Sequence, residues 1–138
     1  ERKAKFGMTG LIYSYNCSTP TVAVSRAVPP KKCLEMLMTA DLYSAEEARE
    51  FHLVNRVFPD DKLDEMTFEW AKKIARTSKY GIFLSKQAFY SQIEMTEWQA
   101  YQYAKEMMAM AGVSQNAIEG FSAFIDKREP VWDESTPY

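Results

Sequence analysis

The chain has 138 residues, of which 46 % are hydrophobic and 26 % are charged, as expected for one ordinary globular domain. A formal net charge of −2 excludes the strong positive field that bulk nucleic-acid attraction needs. The sequence contains no run of about 18 apolar residues, so we expect no membrane-spanning helix. Aromatic residues make up 14 % of the chain and there are eight methionines, an excess that predicts apolar surface buried against a partner.

The N-terminal third combines short apolar runs with turn residues. Residues 5–15 are β-rich and contain two glycines, which favours a short strand followed by a tight turn. Thr19 as the N-cap and Pro20 at the first helical position predict a short helix through Arg26, although the alternation over residues 21–24 leaves a strand open. A second helix is predicted from Pro30, with its apolar face made of Leu34, Leu37 and Met38.

A capping box marks the next helix. Ser44 precedes Glu47 by three positions, which predicts a helix that starts at Ala45. His52 is placed at the left-handed position just past its C-terminus, because histidine is among the few non-glycine residues enriched in that conformation. The β-rich residues 53–58 are then predicted to form a strand.

The C-terminal half is predicted to be helical. Asp60 and Asp61 are expected to cap a long helix with apolar residues at helical spacing: Leu63, Met66, Trp70 and Ile74. Gly81 is expected to separate it from a helix that carries Ile82, Phe89 and Ile93.

Thr96 and Gly112 are expected to bound a third helix with two apolar stripes. One stripe consists of Tyr101, Ala104, Met108 and Ala111. The other consists of Tyr103, Met107 and Met110. Because a helix that is apolar on two sides is usually buried on two sides, the second stripe predicts that the protein is not a monomer. Ser114 is predicted to cap a last helix that runs to about Arg128.

Residues 39–59 resemble a signature of the enoyl-CoA hydratase/isomerase (crotonase) family, T-G-x-x-x-S-A-x-E-A-x-x-x-G-L-V-x-x-V-x-P. Ala40 and His52 stand where this pattern has glycine. The resemblance continues upstream in the C-S-T-P run of residues 17–20 and downstream over residues 119–132. The upstream run is similar to the branch of mitochondrial enoyl-CoA hydratase domain-containing proteins.

The resemblance implies an α/β crotonase (ClpP/crotonase-like ββα spiral) fold, of which this chain is the mostly helical C-terminal half with one or two short strands. Residues 1–60 would be the end of the spiral core, and residues 61–138 a helical oligomerisation region. Implied partners are other crotonase-fold subunits, in trimer-based homo- or hetero-oligomers, and the N-terminal half that supplies most of the acyl-CoA pocket. The implied location is the mitochondrion, with the cytoplasm as the alternative.

No catalytic residue is predicted in this chain. Hydrating an enoyl thioester requires carboxylates for proton transfer and two backbone N–H groups for the oxyanion. One family glutamate lies in the preceding half, and the position of the other corresponds to Gly10, which we interpret as a turn glycine. The chain by itself is therefore expected not to hydrate crotonyl-CoA.

Two other kinds of chemistry are also not predicted. His52 is the single histidine, and the helix-end role fits it better than a Ser-His-Asp triad. The acidic pairs at 46–47 and 60–61 favour helix N-termini rather than a metal, so no metal site is predicted. Cys17 and Cys33 lack C-x-x-C spacing and are expected to be reduced thiols.

Phe124 and Lys127 match the aromatic and the lysine of the family's A-F-x-x-K-R motif, which in relatives contact the adenine and a phosphate of coenzyme A bound to an adjacent subunit. The resemblance thus implies Phe124 and Lys127 as ligand-binding residues, with a coenzyme A thioester as ligand and no separate cofactor. The alternative is structural, with Phe124 packed in a core beside Phe121, and Lys127-Arg128 as a cationic helix end.

Two functions remain open. The first is the C-terminal part of a protein that binds acyl-CoA thioesters, with hydration or isomerisation of an enoyl-CoA as the inherited reaction. The second is a catalytically inactive subunit with a structural role in a larger assembly. RNA binding, known for some members of the family, would need a basic and aromatic platform that the sequence does not contain.

Overall fold

The computed structural model describes residues 3–135. The chain divides into two compact units, with the boundary between Glu69 and Trp70. Two short strands were found, β1 (Lys5–Phe6) and β2 (Tyr43–Ser44). The α-helices, in chain order, are α1 (Ser18–Ala27), α2 (Pro30–Thr39), α3 (Ala45–Glu50), α4 (Leu63–Ala75), α5 (Lys79–Gln92), α6 (Glu97–Gly112) and α7 (Gln115–Asp126). Within the described range, none of these helices is long and apolar enough to cross a membrane.

The first unit is built around an antiparallel pair of strands. Lys5 pairs with Ser44 and Phe6 pairs with Tyr43. Its core is formed by buried residues of β2, α2 and α3 and of the segments that flank the helices and strands. These residues are Met8, Val28, Cys33, Met36, Tyr43, Ala48 and Phe51. The Tyr43 and Phe51 rings meet edge to face with centroids 5.5 Å apart, a favoured aromatic geometry.

The capping prediction for α3 is confirmed. The Glu47 N–H donates to Ser44 Oγ at 3.2 Å, and the Ser44 N–H donates to Glu47 Oε2 at 2.7 Å. At the other end His52 has a φ of 68°, and its N–H donates to the Arg49 carbonyl. The Leu53 N–H donates to the Ala48 carbonyl at 2.8 Å, so this end closes as a Schellman motif.

Residues 53–58 do not form the predicted strand. They follow the Schellman motif as bends and irregular backbone. The strand prediction relied on β-rich composition, but a strand also needs a neighbour to take its hydrogen bonds, and within residues 3–135 the sheet contains only β1 and β2.

Three further predictions for the first unit need correction. The α1 helix begins at Ser18, with Cys17 rather than Thr19 at the N-cap, and the alternative strand over residues 21–24 was wrong. The buried residues of α2 are Cys33 and Met36, not the predicted stripe, since Leu34 and Met38 are exposed. Residues 9–13 form a 3-10 helix where a tight turn was expected.

The junction into α4 also differs from expectation. Asp60 and Asp61 lie inside a 3-10 turn, Asp60–Lys62, rather than ahead of the helix as caps. No residue of α4 is fully buried: of its predicted apolar stripe, Leu63 and Trp70 are half-buried, and Met66 and Ile74 are exposed.

In the second unit, α5 packs against α6 and α6 packs against α7. Gly81 does not separate two helices, because it lies in the first turn of α5 and its N–H donates to the Ser78 cap at 3.1 Å. The predicted caps are confirmed for α6 at Thr96 and for α7 at Ser114.

The two stripes of α6 do not divide as predicted. Of the stripe expected to meet a partner, Met107 is buried at 8 % exposure and Tyr103 is half-buried, but Met110 is 50 % exposed. The exposed stripe contains Tyr101 and Met108, the latter at 78 % exposure. Both stripes were visible in the sequence, but only the positions of the neighbouring helices decide which one is covered.

Candidate functional site

An apolar cleft of about 600 Å³ lies in the second unit. Its walls come from α5, from α7 and from the C-terminal tail that follows α7. The main side chains that line it are Tyr80, Leu84, Ala117, Phe121, Phe124 and Trp132. Such a volume and such a lining suit an apolar or aromatic group of a small ligand.

Phe124 lies in the last turn of α7. The face of this helix that packs inside the chain includes Ala123, so Phe124 points away from the core and is 83 % exposed. Phe121 is exposed as well. The interpretation of Phe124 as a core residue beside Phe121 is therefore wrong for this chain, and a large aromatic ring is left available at the cleft.

Lys127 terminates α7. It adopts a left-handed conformation with φ of 55°, and its N–H donates to the carbonyl oxygens of Ala123 and Phe124. Its side chain is exposed. Lys127 is not among the residues that line the cleft, so the structure places it at the same helix end as Phe124 without bringing both into one pocket wall.

The next residue, Arg128, forms an ion pair with Glu119. Its guanidinium donates to both carboxylate oxygens of Glu119, at 2.6 and 2.9 Å, and the Val131 N–H donates to Glu119 Oε1 at 2.7 Å. The Arg128 contacts, and then the Val131 N–H, lower the pKa of Glu119 to about 2. These contacts, which we call the Glu119–Arg128 clamp, fold the tail back along α7. Of the two adjacent cations, Arg128 is therefore ion-paired, whereas Lys127 is exposed and forms no ion pair within the described residues.

The sequence interpretation missed Asn116 and Trp132. The Asn116 side chain bonds the backbone of Asp133 twice, and the Trp132 Nε1–H donates to the Arg76 carbonyl at 2.7 Å. The available signal was Trp132 itself, a large aromatic residue in the short tail after α7. Its partners could not be identified from local pattern, because Arg76 is 56 positions away.

Gly10 lies in the first unit, in the 3-10 helix Thr9–Tyr13. Its N–H donates to Cys17 Sγ at 3.2 Å. A β-carbon at position 10 would lie 2.6 Å from that sulfur and 2.6 Å from the Tyr15 carbonyl oxygen. No larger residue fits here without movement of the backbone.

The other residues considered from sequence form no reactive cluster. His52 is exposed at its left-handed position, and Cys17 and Cys33 are free. Among residues 3–135 no group of three or more His, Cys, Asp or Glu side chains is arranged to hold a metal ion.

The fold is that of the crotonase class. An enoyl-CoA hydratase from Mycobacterium smegmatis superimposes with a TM-score of 0.91 and 39 % identity, over 95 % of this chain and 51 % of that chain. Human enoyl coenzyme A hydratase domain-containing protein 3 superimposes with a TM-score of 0.90 and 39 % identity, over 95 % of this chain and 52 % of that chain.

Sequence comparison agrees. The enoyl-CoA hydratase/isomerase family model matches residues 1–135, so the chain belongs to that family. Mouse enoyl-CoA hydratase domain-containing protein 3, mitochondrial, is 40 % identical over 130 residues, which are 94 % of this chain and 43 % of the mouse protein. The chain therefore spans about half the length of the relatives that it matches.

Proposed function

We propose that this chain is the C-terminal part of a protein that binds acyl-CoA thioesters, with hydration or isomerisation of an enoyl-CoA as the reaction of the whole protein. The chief support is Phe124, a ring that is 83 % exposed at an apolar cleft. Desolvating such a ring against a flat base is favourable, and the nearby Lys127 can meet a phosphate. In this proposal Phe124 contacts the adenine and Lys127 a phosphate of coenzyme A held by an adjacent crotonase-fold subunit.

A second candidate function is that of a structural subunit without hydratase activity. The observation that favours it is the surroundings of Gly10, where even one added carbon would collide with Cys17 and with backbone. A glutamate at this position, as a hydratase of the family has, does not fit. Both candidates share an oligomeric, trimer-based assembly and a mitochondrial location, the latter supported by the names of the similar vertebrate proteins.

The experiment is coenzyme A binding by calorimetry, in the longest natural polypeptide that contains this chain. Lys127→Glu replaces a charge-assisted contact of about 1.5 to 3 kcal/mol with repulsion, so affinity should fall at least tenfold. Thermal stability should barely change, because Lys127 is exposed. Lys86→Glu, an equal charge change on exposed α5 surface, is the matched control and should leave affinity nearly unchanged.

Three outcomes separate the candidates. Loss of affinity in Lys127→Glu alone supports the ligand role. Equal losses in both variants would indicate general electrostatics instead of a contact. If the parent binds no coenzyme A, the acyl-CoA proposal fails and the structural role is favoured.

A further inference from the structure

Asn116 is the buried polar side chain of the described residues, at 5 % exposure. A buried amide is costly unless both its donor and its acceptor are satisfied. Here both are satisfied by one residue: Asn116 Nδ2 donates to the Asp133 carbonyl at 3.0 Å, and the Asp133 N–H donates to Asn116 Oδ1 at 2.7 Å. This reciprocal pair fastens the tail to the first turn of α7.

The residue before Asp133 is Trp132, which lines the cleft. Its indole N–H donates to the carbonyl of Arg76, the first residue past α4, where helix carbonyls lack a partner within the helix. A β-carbon on Gly120 would lie 3.5 Å from the indole ring, so the ring packs directly along α7. Trp132 is thus held at its ring nitrogen by Arg76 and through its backbone neighbour by Asn116.

We propose that Asn116 is a positioning residue that holds Trp132 as a fixed aromatic wall of the cleft, and that Trp132 is a further contact for the flat ring of the bound ligand. The inference rests on the proposed function, which already assigns the adenine to Phe124. Trp132 is half-buried and its ring N–H is bonded to the Arg76 carbonyl without a ligand, so little side-chain entropy remains to be lost on binding. Indole also offers the largest ring surface for such a contact.

The position of the Trp132 ring can be monitored by NMR without a ligand. The chain has three tryptophans, so 5-fluorotryptophan labelling gives three ¹⁹F resonances, and Trp132→Phe identifies the one that belongs to Trp132. Asn116→Asp keeps the acceptor for the Asp133 N–H but loses the donor, whereas Asn116→Ala loses both. We expect the Trp132 resonance to move toward its unfolded position in both Asn116 variants.

The melting temperature is measured alongside the spectra. Asn116→Asp buries a carboxylate beside the Asp133 carbonyl, so both Asn116 variants should melt below the parent, and the spectra are compared at a temperature at which every variant is folded. Gln115→Ala, an exposed change one residue earlier, is the control and should alter neither. An unmoved Trp132 resonance in both Asn116 variants would overturn the positioning role.

Coenzyme A binding tests the ligand contact. In a parent that binds, Asn116→Ala and Trp132→Ala should each weaken affinity about three- to tenfold. If Lys127→Glu weakens binding and these two do not, the Trp132 contact is wrong while the proposed function stands. If the parent does not bind coenzyme A, the proposed function and the ligand contact fail together, and the ¹⁹F spectra alone then decide whether Asn116 positions Trp132.

Discussion

Ala40 and His52 adopt the same left-handed backbone conformation, with φ of 56° and 68°, at the C-terminal ends of the successive helices α2 and α3. The family signature has glycine at both positions. Glycine is favoured there because it has no β-carbon to crowd the carbonyl oxygen in this conformation. The two departures of this sequence from the signature are therefore two sites of backbone strain.

His52→Gly should stabilise the protein. The left-handed conformation costs a non-glycine residue about 1 to 2 kcal/mol, and about half of this is offset by the greater freedom of glycine in the unfolded chain. Because the His52 side chain is exposed, its removal loses little packing, and we expect a net gain of about 0.5 to 1 kcal/mol in urea unfolding.

Ala40→Gly should be nearly neutral instead. Ala40 is 7 % exposed, and loss of its buried methyl group costs up to about 0.8 kcal/mol, which cancels the relief of strain. Ala23→Gly, in the middle of α1 and exposed, is the control and should destabilise by about 1 kcal/mol. A loss of stability in His52→Gly similar to that in Ala23→Gly would contradict the strain argument.

Helix ends could be predicted from the sequence because their contacts are local. The Ser44–Glu47 box and the Ser114 cap each join residues three positions apart. The faces that become buried depend on distant elements, so the stripe that includes Leu34 and the partner-facing role of Met107 were assigned wrongly. Residues 53–58 failed as a strand for the same reason.

The residues of the candidate site also divide into those that a local sequence pattern could identify and those that it could not. Phe124 and Lys127 were found through a contiguous motif on α7. Asn116 and Trp132 were missed, because their importance lies in hydrogen bonds to Asp133 and to Arg76 across 17 and 56 positions. A residue whose role is to hold a distant segment leaves little local pattern.

Gly10→Ala should destabilise the first unit by about 1 to 3 kcal/mol. Its new methyl group would lie 2.6 Å from the Tyr15 carbonyl oxygen, which is backbone and cannot rotate away. Gly112→Ala is the control, since a β-carbon there meets nothing within 4 Å and helix propensity favours alanine. Equal melting temperatures for Gly10→Ala and the parent would show that this segment readily rearranges, and would reopen the position to a glutamate.

The Glu119–Arg128 clamp should give stability a defined pH dependence. The pKa of Glu119 is lowered from 4.5 to about 2 in the folded chain, so the clamp's contribution is complete above about pH 4.5 and is lost as pH falls through about 2. Glu119→Gln should therefore melt below the parent at pH 6, and the difference should shrink between pH 4.5 and pH 2. Glu106→Gln, an exposed carboxylate on α6, is the control; a constant difference for Glu119→Gln over this range would show that the ionised carboxylate is not what stabilises the tail.

The last prediction concerns association of subunits through the exposed stripe of α6. Met108 is 78 % exposed and Tyr101 is 69 % exposed, and they lie seven residues apart on one face. A soluble protein rarely leaves such side chains uncovered, so we expect this face to be buried between subunits.

The double change Tyr101→Ser, Met108→Gln should lower the sedimentation coefficient toward that of a monomer at micromolar concentration without lowering the melting temperature of the unit. Lys105→Gln, exposed on the same helix, should leave association unchanged. A parent that is already monomeric at this concentration would rule the interface out.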